Sequence, residues 1–177
     1  MKRCFIALDI PEETRDEIEN IQSELPTDLF LGKLTEKDNI HLTLKFLGEI
    51  DDTTLRSVLE RLDTIDRSSF DLIISDAGVF SRNCPRIIWL SAESLSLREL
   101  QKDVDKSISD IFPMERRFMG HMTIARIKEC NDRETLLTKI KGIRPRILSR
   151  ITSFSLVSSR LTKLGPIYET IERFSLH

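Results

Sequence analysis

Two periodicities trade places along this chain. Arg3 to Ile10 is an apolar run that stops at Pro11, the pattern of a buried strand. Pro11-Glu12-Glu13 then opens a helix, with proline and acids in its first turn, and Ile18, Ile21 and Leu25 form its apolar stripe up to Pro26. Thr27 to Asn39 is polar and turn-rich and predicts a loop. Ile40 to Leu47 predicts a strand closed by Gly48-Glu49, after which Asp51-Asp52-Thr53 caps a second helix with Leu55, Val58, Leu59 and Leu62 on its inner face. Phe70 to Ile74, with Ala77 to Phe80 beyond it, and Arg86 to Leu90 predict strands that pair as a long hairpin around Ser81 to Pro85. Leu95 to Ile111 has helical spacing through Leu97, Leu100, Val104 and Ile108. Phe118 to Ile127 predicts a strand, and Asn131-Asp132 start a short helix through Leu136, Leu137 and Ile140. Ile151 to Leu161 and Ile167 to Leu176 predict two last strands around Gly165-Pro166.

Helices and strands alternate, yet several strands are joined too tightly for crossover helices. That combination predicts an α+β fold with largely antiparallel sheets. The 177 residues suit one domain or two small lobes sharing a core. Net charge is −2, which argues against a sequence-blind nucleic-acid coat with a broad basic face but leaves room for a local cleft that holds a phosphate. Cys4, Cys84 and Cys130 are too few and too scattered for a disulfide framework or a structural zinc site, so reduced, mostly buried thiols in a cytoplasmic protein are expected. No stretch approaches the ~20 apolar residues of a membrane span, and the apolar run at the N-terminus is too short for a signal peptide.

The chemistry concentrates in two tetrapeptides, His41-Leu42-Thr43-Leu44 and His121-Met122-Thr123-Ile124. They contain every histidine except the terminal His177. Imidazole gives and takes protons near neutral pH, and two in matching settings suggest an acid and a base working across one substrate. In a strand, residues i and i+2 share a face. His41, Thr43 and Lys45 therefore point one way and Leu42, Leu44 and Phe46 the other, while His121 and Thr123 oppose Met122 and Ile124. Two such strands facing each other make a symmetric cup in a cleft between two similar lobes, two imidazoles flanking and two hydroxyls gripping. That arrangement suits in-line displacement at phosphorus without a metal.

Simpler readings compete. A single His-x-Thr is a short motif with a high false-positive rate, and a lone strand histidine is more often structural. Two copies holding every internal histidine favour chemistry. There is no Gly-x-Ser-x-Gly elbow, no phosphate-cradling glycine loop, and no cluster of metal-ligating residues beside either motif.

At these residues the chain resembles the two-histidine phosphoesterase superfamily, and within it the RNA 2',3'-cyclic phosphodiesterases historically called 2'-5' RNA ligases. The resemblance runs nearly end to end. Arg3 to Leu8 looks like the family's opening strand, Asn39 to Glu49 is very close to its first signature, and Phe118 to Arg126 resembles its second. Gly78-Val79-Phe80 with Pro85 to Trp89 resembles its central hairpin, and Ser159-Arg160-Leu161 with Gly165 to Tyr168 its last. Two departures stand out. Gly120 replaces the family's proline before the second histidine, which would loosen the pose of His121. Leu34 lies where an aromatic is often found.

The resemblance implies a bilobal fold of pseudo-symmetric lobes around a central cleft, with residues 1–177 as a single two-lobed domain. It implies a cofactor-free and metal-free hydrolase that opens 2',3'-cyclic phosphates to 2'-phosphomonoesters. By carry-over, His41 is the proton donor, His121 the proton acceptor, and Thr43 and Thr123 bind phosphate oxygens. Arg126 is a candidate substrate binder that reaches the cleft only if its strand ends or bulges near Ala125. Lys45 and Phe118 are further candidates, each with a plainer reading as surface lysine and core aromatic; Trp89 and Tyr168 read as packing residues. The implied partners are RNA 3' ends, tRNA fragments among them, or cyclic nucleotides, met by a monomer and not at a membrane. A 2'-5' ligase using the same site and a non-catalytic binder of RNA ends are the alternatives.

Overall fold

The computed structural model describes residues 1–163 and 165–177. In chain order the elements are β1 (Lys2–Leu8), α1 (Glu12–Ser23), β2 (Phe30–Leu34), a 3-10 turn (Lys37–Asn39), β3 (Leu42–Ile50), α2 (Asp52–Leu62), β4 (Phe70–Phe80) and β5 (Ile87–Glu93). They continue with α3 (Leu95–Ser107), β6 (His121–Cys130), α4 (Arg133–Gly142), β7 (Ile147–Ile151), β8 (Ser153–Thr162) and β9 (Gly165–Ser175). Three helices begin where a capping side chain takes up a free backbone N–H: Asp51 accepts from Thr54, Ser94 from Leu97 and Asp132 from Thr135.

The strands follow the order β7-β4-β5-β6-β3-β1-β8-β9, with β2 added on β6. This fold is α+β and bilobal. One lobe holds β3, β1, β8 and β9, and the other β6, β5, β4 and β7. The two halves of the sheet meet at a single antiparallel pair, Leu42 opposite Met122. The expectation of two sheets thus holds for the lobes, while hydrogen bonding at this one pair runs on between them. The lobes also exchange strands. β4 leaves the first half of the chain to pair with β5, and β8 leaves the second half to pair with β1.

Both central strands are almost fully buried on the side away from the cleft. Leu42, Met122 and Ile124 are at 0 % exposure, packed with Ile6, Leu90, Leu100 and Val104 in one continuous core. Burying such side chains is the main stabilising term of the fold, at roughly 1.5–3 kcal/mol each.

Two elements differ from the sequence pattern. β2 lies in the polar stretch that predicts a loop; only Phe30 of its five residues is buried, so no alternation marks it. β7 has no counterpart among the expected strands and stands apart from the strand after it. Its Ile147, Ser149 and Ile151 are buried in strict alternation, and the chain turns at Thr152 to start β8.

Candidate active site

The Leu42–Met122 pair sits between the two His-x-Thr motifs and acts as a local two-fold centre. Continuing that antiparallel register by one residue in each direction sets His41 across from Thr123 and Thr43 across from His121. All four side chains line one cleft of about 550 Å³, together with Arg126 and Phe46. The cleft continues past His41 into a side recess walled by Leu34, Pro166 and Tyr168.

The two imidazoles are held alike. His41 Nδ1 lies 2.7 Å from the Asn39 carbonyl oxygen, and His121 Nδ1 lies 2.9 Å from that of Met119. A carbonyl can only accept, so each Nδ1 carries the proton and each Nε2 is left for the cleft. Each ring is also braced by aromatics. Phe5 and Tyr168 pack on His41 at 4.9 and 5.1 Å between centroids, and Phe80 meets His121 edge-on at 5.0 Å.

Their electrostatics differ. Burial pushes the His41 imidazolium pKa below its ordinary value; the nearby Arg126 and His121 act in the same direction, and the Asn39 carbonyl opposes them. Burial also raises the Tyr168 phenol, so it stays a neutral hydroxyl in the cleft wall. The Cys4 thiol, at the cleft floor, is raised by burial and is protonated at neutral pH.

A bulge in each central strand decides which side chain reaches the cleft beyond the threonine. On β3 the ladder with β1 pairs Ile6 with Lys45 and Ala7 with Thr43, skipping Leu44. On β6 the ladder with β5 pairs Ile88 with Ala125 and Trp89 with Thr123, skipping Ile124. Each extra residue reverses the alternation beyond it. Leu44 and Lys45 are both buried, as are Ile124 and Ala125, and the next residues, Phe46 and Arg126, turn into the cleft.

Some expectations are met here and others are corrected. Arg126 lines the cleft through the bulge that its placement required. Lys45 does not share the face of His41 and Thr43. It is 8 % exposed, ion-paired with Asp105 behind the sheet, and takes no part in the cleft. Phe46, expected on the core face, is 70 % exposed and stands at the cleft instead. Phe118 packs against the core and is absent from the cleft lining. Tyr168, expected to be a packing residue, faces His41 in the cleft. Cys84 is exposed, not buried. Gly120 is not loose. A Cβ there would collide with the Ala92 carbonyl oxygen and the Leu97 side chain, and its own carbonyl accepts from Ala92 N at 3.0 Å. Among the described residues no three His, Cys, Asp or Glu side chains gather as a cation site, and no helix is long and apolar enough to cross a membrane.

Comparison with known proteins adds an independent line. The LigT like Phosphoesterase family matches residues 8–89 and, a second time, residues 90–168, one match per His-x-Thr motif. The chain is 34% identical over 176 residues to the RNA 2',3'-cyclic phosphodiesterase of Methanocaldococcus jannaschii, covering 97% of this chain and 99% of that one. It is 34% identical over 175 residues to the protein of the same name from Thermotoga maritima, covering 96% and 92%. Among solved structures, a Thermus thermophilus protein superposes with a TM-score of 0.83 at 25% identity, over 98% of this chain and 97% of that one. E. coli LigT complexed with 3'-AMP superposes with a TM-score of 0.79 at 25% identity, over 99% and 98%.

Proposed function

The chain belongs to the LigT-like phosphoesterase family, and from that premise we propose that it hydrolyses 2',3'-cyclic phosphates at RNA 3' ends to 2'-phosphomonoesters. The observation that carries this reading is the paired setting of the histidines: two rings with Nδ1 fixed on a backbone carbonyl and Nε2 open, on either side of one strand pair. The printed names of the M. jannaschii and T. maritima relatives support it.

The reaction divides between the two rings. His121 Nε2 takes a proton from water as the water oxygen bonds to phosphorus. The bond from phosphorus to the 3' oxygen breaks on the opposite side, and that oxygen takes its proton from His41 Nε2. The products are a 2'-phosphomonoester and a free 3'-hydroxyl, with one proton gained by His121 and one lost by His41. Thr43 and Thr123 donate to the non-bridging oxygens, where charge grows in the transition state. Arg126 adds a fixed cation to the same oxygens. No step calls for a metal.

The lowered pKa of His41 bears on this division. In the free protein the ring tends toward neutral, whereas a general acid must carry its proton. The phosphodiester anion supplies the negative charge that restores it, opposing the effect of Arg126. Binding and protonation of His41 are therefore linked.

Residues 1–177 serve as one two-lobed domain in this reading, since each half of the chain lends a strand to the other lobe. The partners are RNA 3' ends, such as tRNA fragments, or cyclic nucleotides, met by a monomer in the cytoplasm. The test is an oligoribonucleotide ending in a 2',3'-cyclic phosphate, incubated with the protein in EDTA and followed by phosphorus NMR. The expected product is the 2'-phosphate. A 3'-phosphate, or no turnover without an added divalent ion, would contradict the proposal.

A further inference from the structure

Lys45 lies on β3 with Thr43, four residues after His41, yet its ammonium points through the sheet into a buried polar knot. There it pairs with Asp105 of α3 and donates to the Pro113 carbonyl at 2.7 Å. Asp105 is 1 % exposed. Its second oxygen accepts from the Gln101 side chain and from the Glu115 backbone N–H, each at 2.8 Å. The knot thus fastens the connection between α3 and β6 at two points, Pro113 and Glu115. The connection's far end is fastened at Gly120, whose carbonyl accepts from Ala92 and whose Cα leaves no room for a side chain. Between these anchors lies Met119, whose carbonyl receives the Nδ1 proton of His121.

The geometry points to Lys45 and Asp105 as positioning residues for His121: the strand that follows the first histidine helps to fix the carbonyl that orients the second. This rests on the two-histidine reading given above. Three physical points support it. A histidine's tautomer and ring angle are set by the acceptor of its other nitrogen, so the Met119 carbonyl decides where Nε2 points. That carbonyl sits in a segment outside the helices and strands, held by Phe118 packed against the core and by the anchors at either end. Those anchors include a lysine and an aspartate whose burial is costly and is offset here by their ion pair and three further hydrogen bonds. The bulge that turns Lys45 inward is the same one that turns Phe46 into the cleft, so the device is built into the first motif. The equivalent position after the second bulge is Ala125, which carries no charge. The coupling therefore runs one way, from β3 to His121, and His41 relies instead on Asn39, itself held by Glu36 and the Pro166 carbonyl.

The test replaces Lys45 by methionine, which keeps the apolar stem. A Lys45→Met/Asp105→Leu double variant leaves no uncompensated charge and carries the same test if the single variant does not fold. Two measurements are made. Nitrogen-15 NMR of the histidine side chains reads the His121 tautomer without any need for turnover, so its failure is distinct from failure of the proposed reaction. The expected result is a His121 ring that shifts from a single Nδ1–H tautomer to a mixture, with His41 unchanged. Kinetics on the cyclic-phosphate oligonucleotide should show kcat down about 10- to 100-fold, the scale for a small misplacement of a reacting group, with KM little changed. The loss should disappear in a His121→Ala background, where there is no ring left to position. Leu136→Ala, in α4, supplies a variant destabilised by packing alone and should retain the wild-type His121 signals. Unchanged His121 signals in the Lys45 variants, the same signals disturbed equally in Leu136→Ala, or a loss of kcat that persists in the His121→Ala background would each overturn the inference.

Discussion

The two His-x-Thr motifs begin with the same residues and end in different surroundings. Around His41 the wall is aromatic on two sides, and burial with Arg126 nearby holds the ring's pKa down. Around His121 there is one edge-on phenylalanine, and the ring is more open. Past the threonines the contrast sharpens. One bulge delivers Phe46 to the cleft and buries Lys45; the other delivers Arg126 and buries Ala125. A repeated backbone has become an asymmetric site, with an aromatic on one side of the dyad and a cation on the other. The lesson is that a duplicated motif fixes where two rings sit, while the residues at the bulges and the depth of burial make their surroundings differ.

The largest test of that contrast is removal of either ring. His41→Ala and His121→Ala should each lower kcat/KM about 10²- to 10⁴-fold on the cyclic-phosphate oligonucleotide, the usual range for general acid–base catalysis. If one variant kept near wild-type activity, the pairing would be lost. Next in size is Arg126→Gln. With Arg126 in the proposed role of phosphate ligand, losing that charged hydrogen bond, worth roughly 1.5–3 kcal/mol, should lower kcat/KM by one to two orders of magnitude. The same change removes a cation beside His41, so the His41 titration, followed by NMR in the free protein, should move up toward its ordinary value. A downward or absent shift would show that Arg126 does not act on that ring.

A smaller effect separates free and bound enzyme. With the His41 pKa lowered in the free protein and raised again by the bound phosphate, the alkaline limb of kcat/KM should fall at lower pH than that of kcat. Coincident limbs would remove the link between binding and protonation. The same depressed pKa has a sign in stability. The unfolded chain binds the His41 proton more readily, so this contribution is present above the unfolded value near 6.5 and is lost as pH falls through the folded one. Thermal melts from pH 7 to pH 5 should therefore fall less steeply in His41→Gln than in wild type. A comparison in stability alone uses two residues of β3. Leu44→Ala should cost about 2–5 kcal/mol as a core truncation. Phe46→Ala, at 70 % exposure, should stay within about 0.5 kcal/mol while still altering the cleft. Equal losses would place the bulge elsewhere on the strand.

Much of this molecule is legible in its sequence. The α+β class, four helices and the faces of His41, Thr43, His121 and Thr123 follow from spacing alone, because burial on one side leaves a period that the sequence displays. The bulge near Ala125 enters the sequence reading only as a condition for Arg126, and the bulge on β3 is not legible at all. Leu42, Leu44 and Phe46 alternate perfectly with Thr43 and Lys45, so nothing in the string announces that Leu44 is skipped. The roles of Tyr168 and Phe80 are hidden because their contacts with the histidines are made across strands far apart in sequence. β2 is hidden because a strand with one buried residue has no pattern to read. Gly120 suggests freedom in the sequence, when close packing against Ala92 and Leu97 is what requires it.

The division of labour between the rings can be tested most directly with a substrate whose bridging 3' oxygen is replaced by sulfur. A thiolate leaves without needing a proton, so a missing general acid matters less and a missing general base matters as much as before. With His41 as the acid and His121 as the base, this substrate should restore most of the activity of His41→Ala and none of that of His121→Ala. Rescue of His121→Ala instead, or equal behaviour of the two variants, would contradict that assignment.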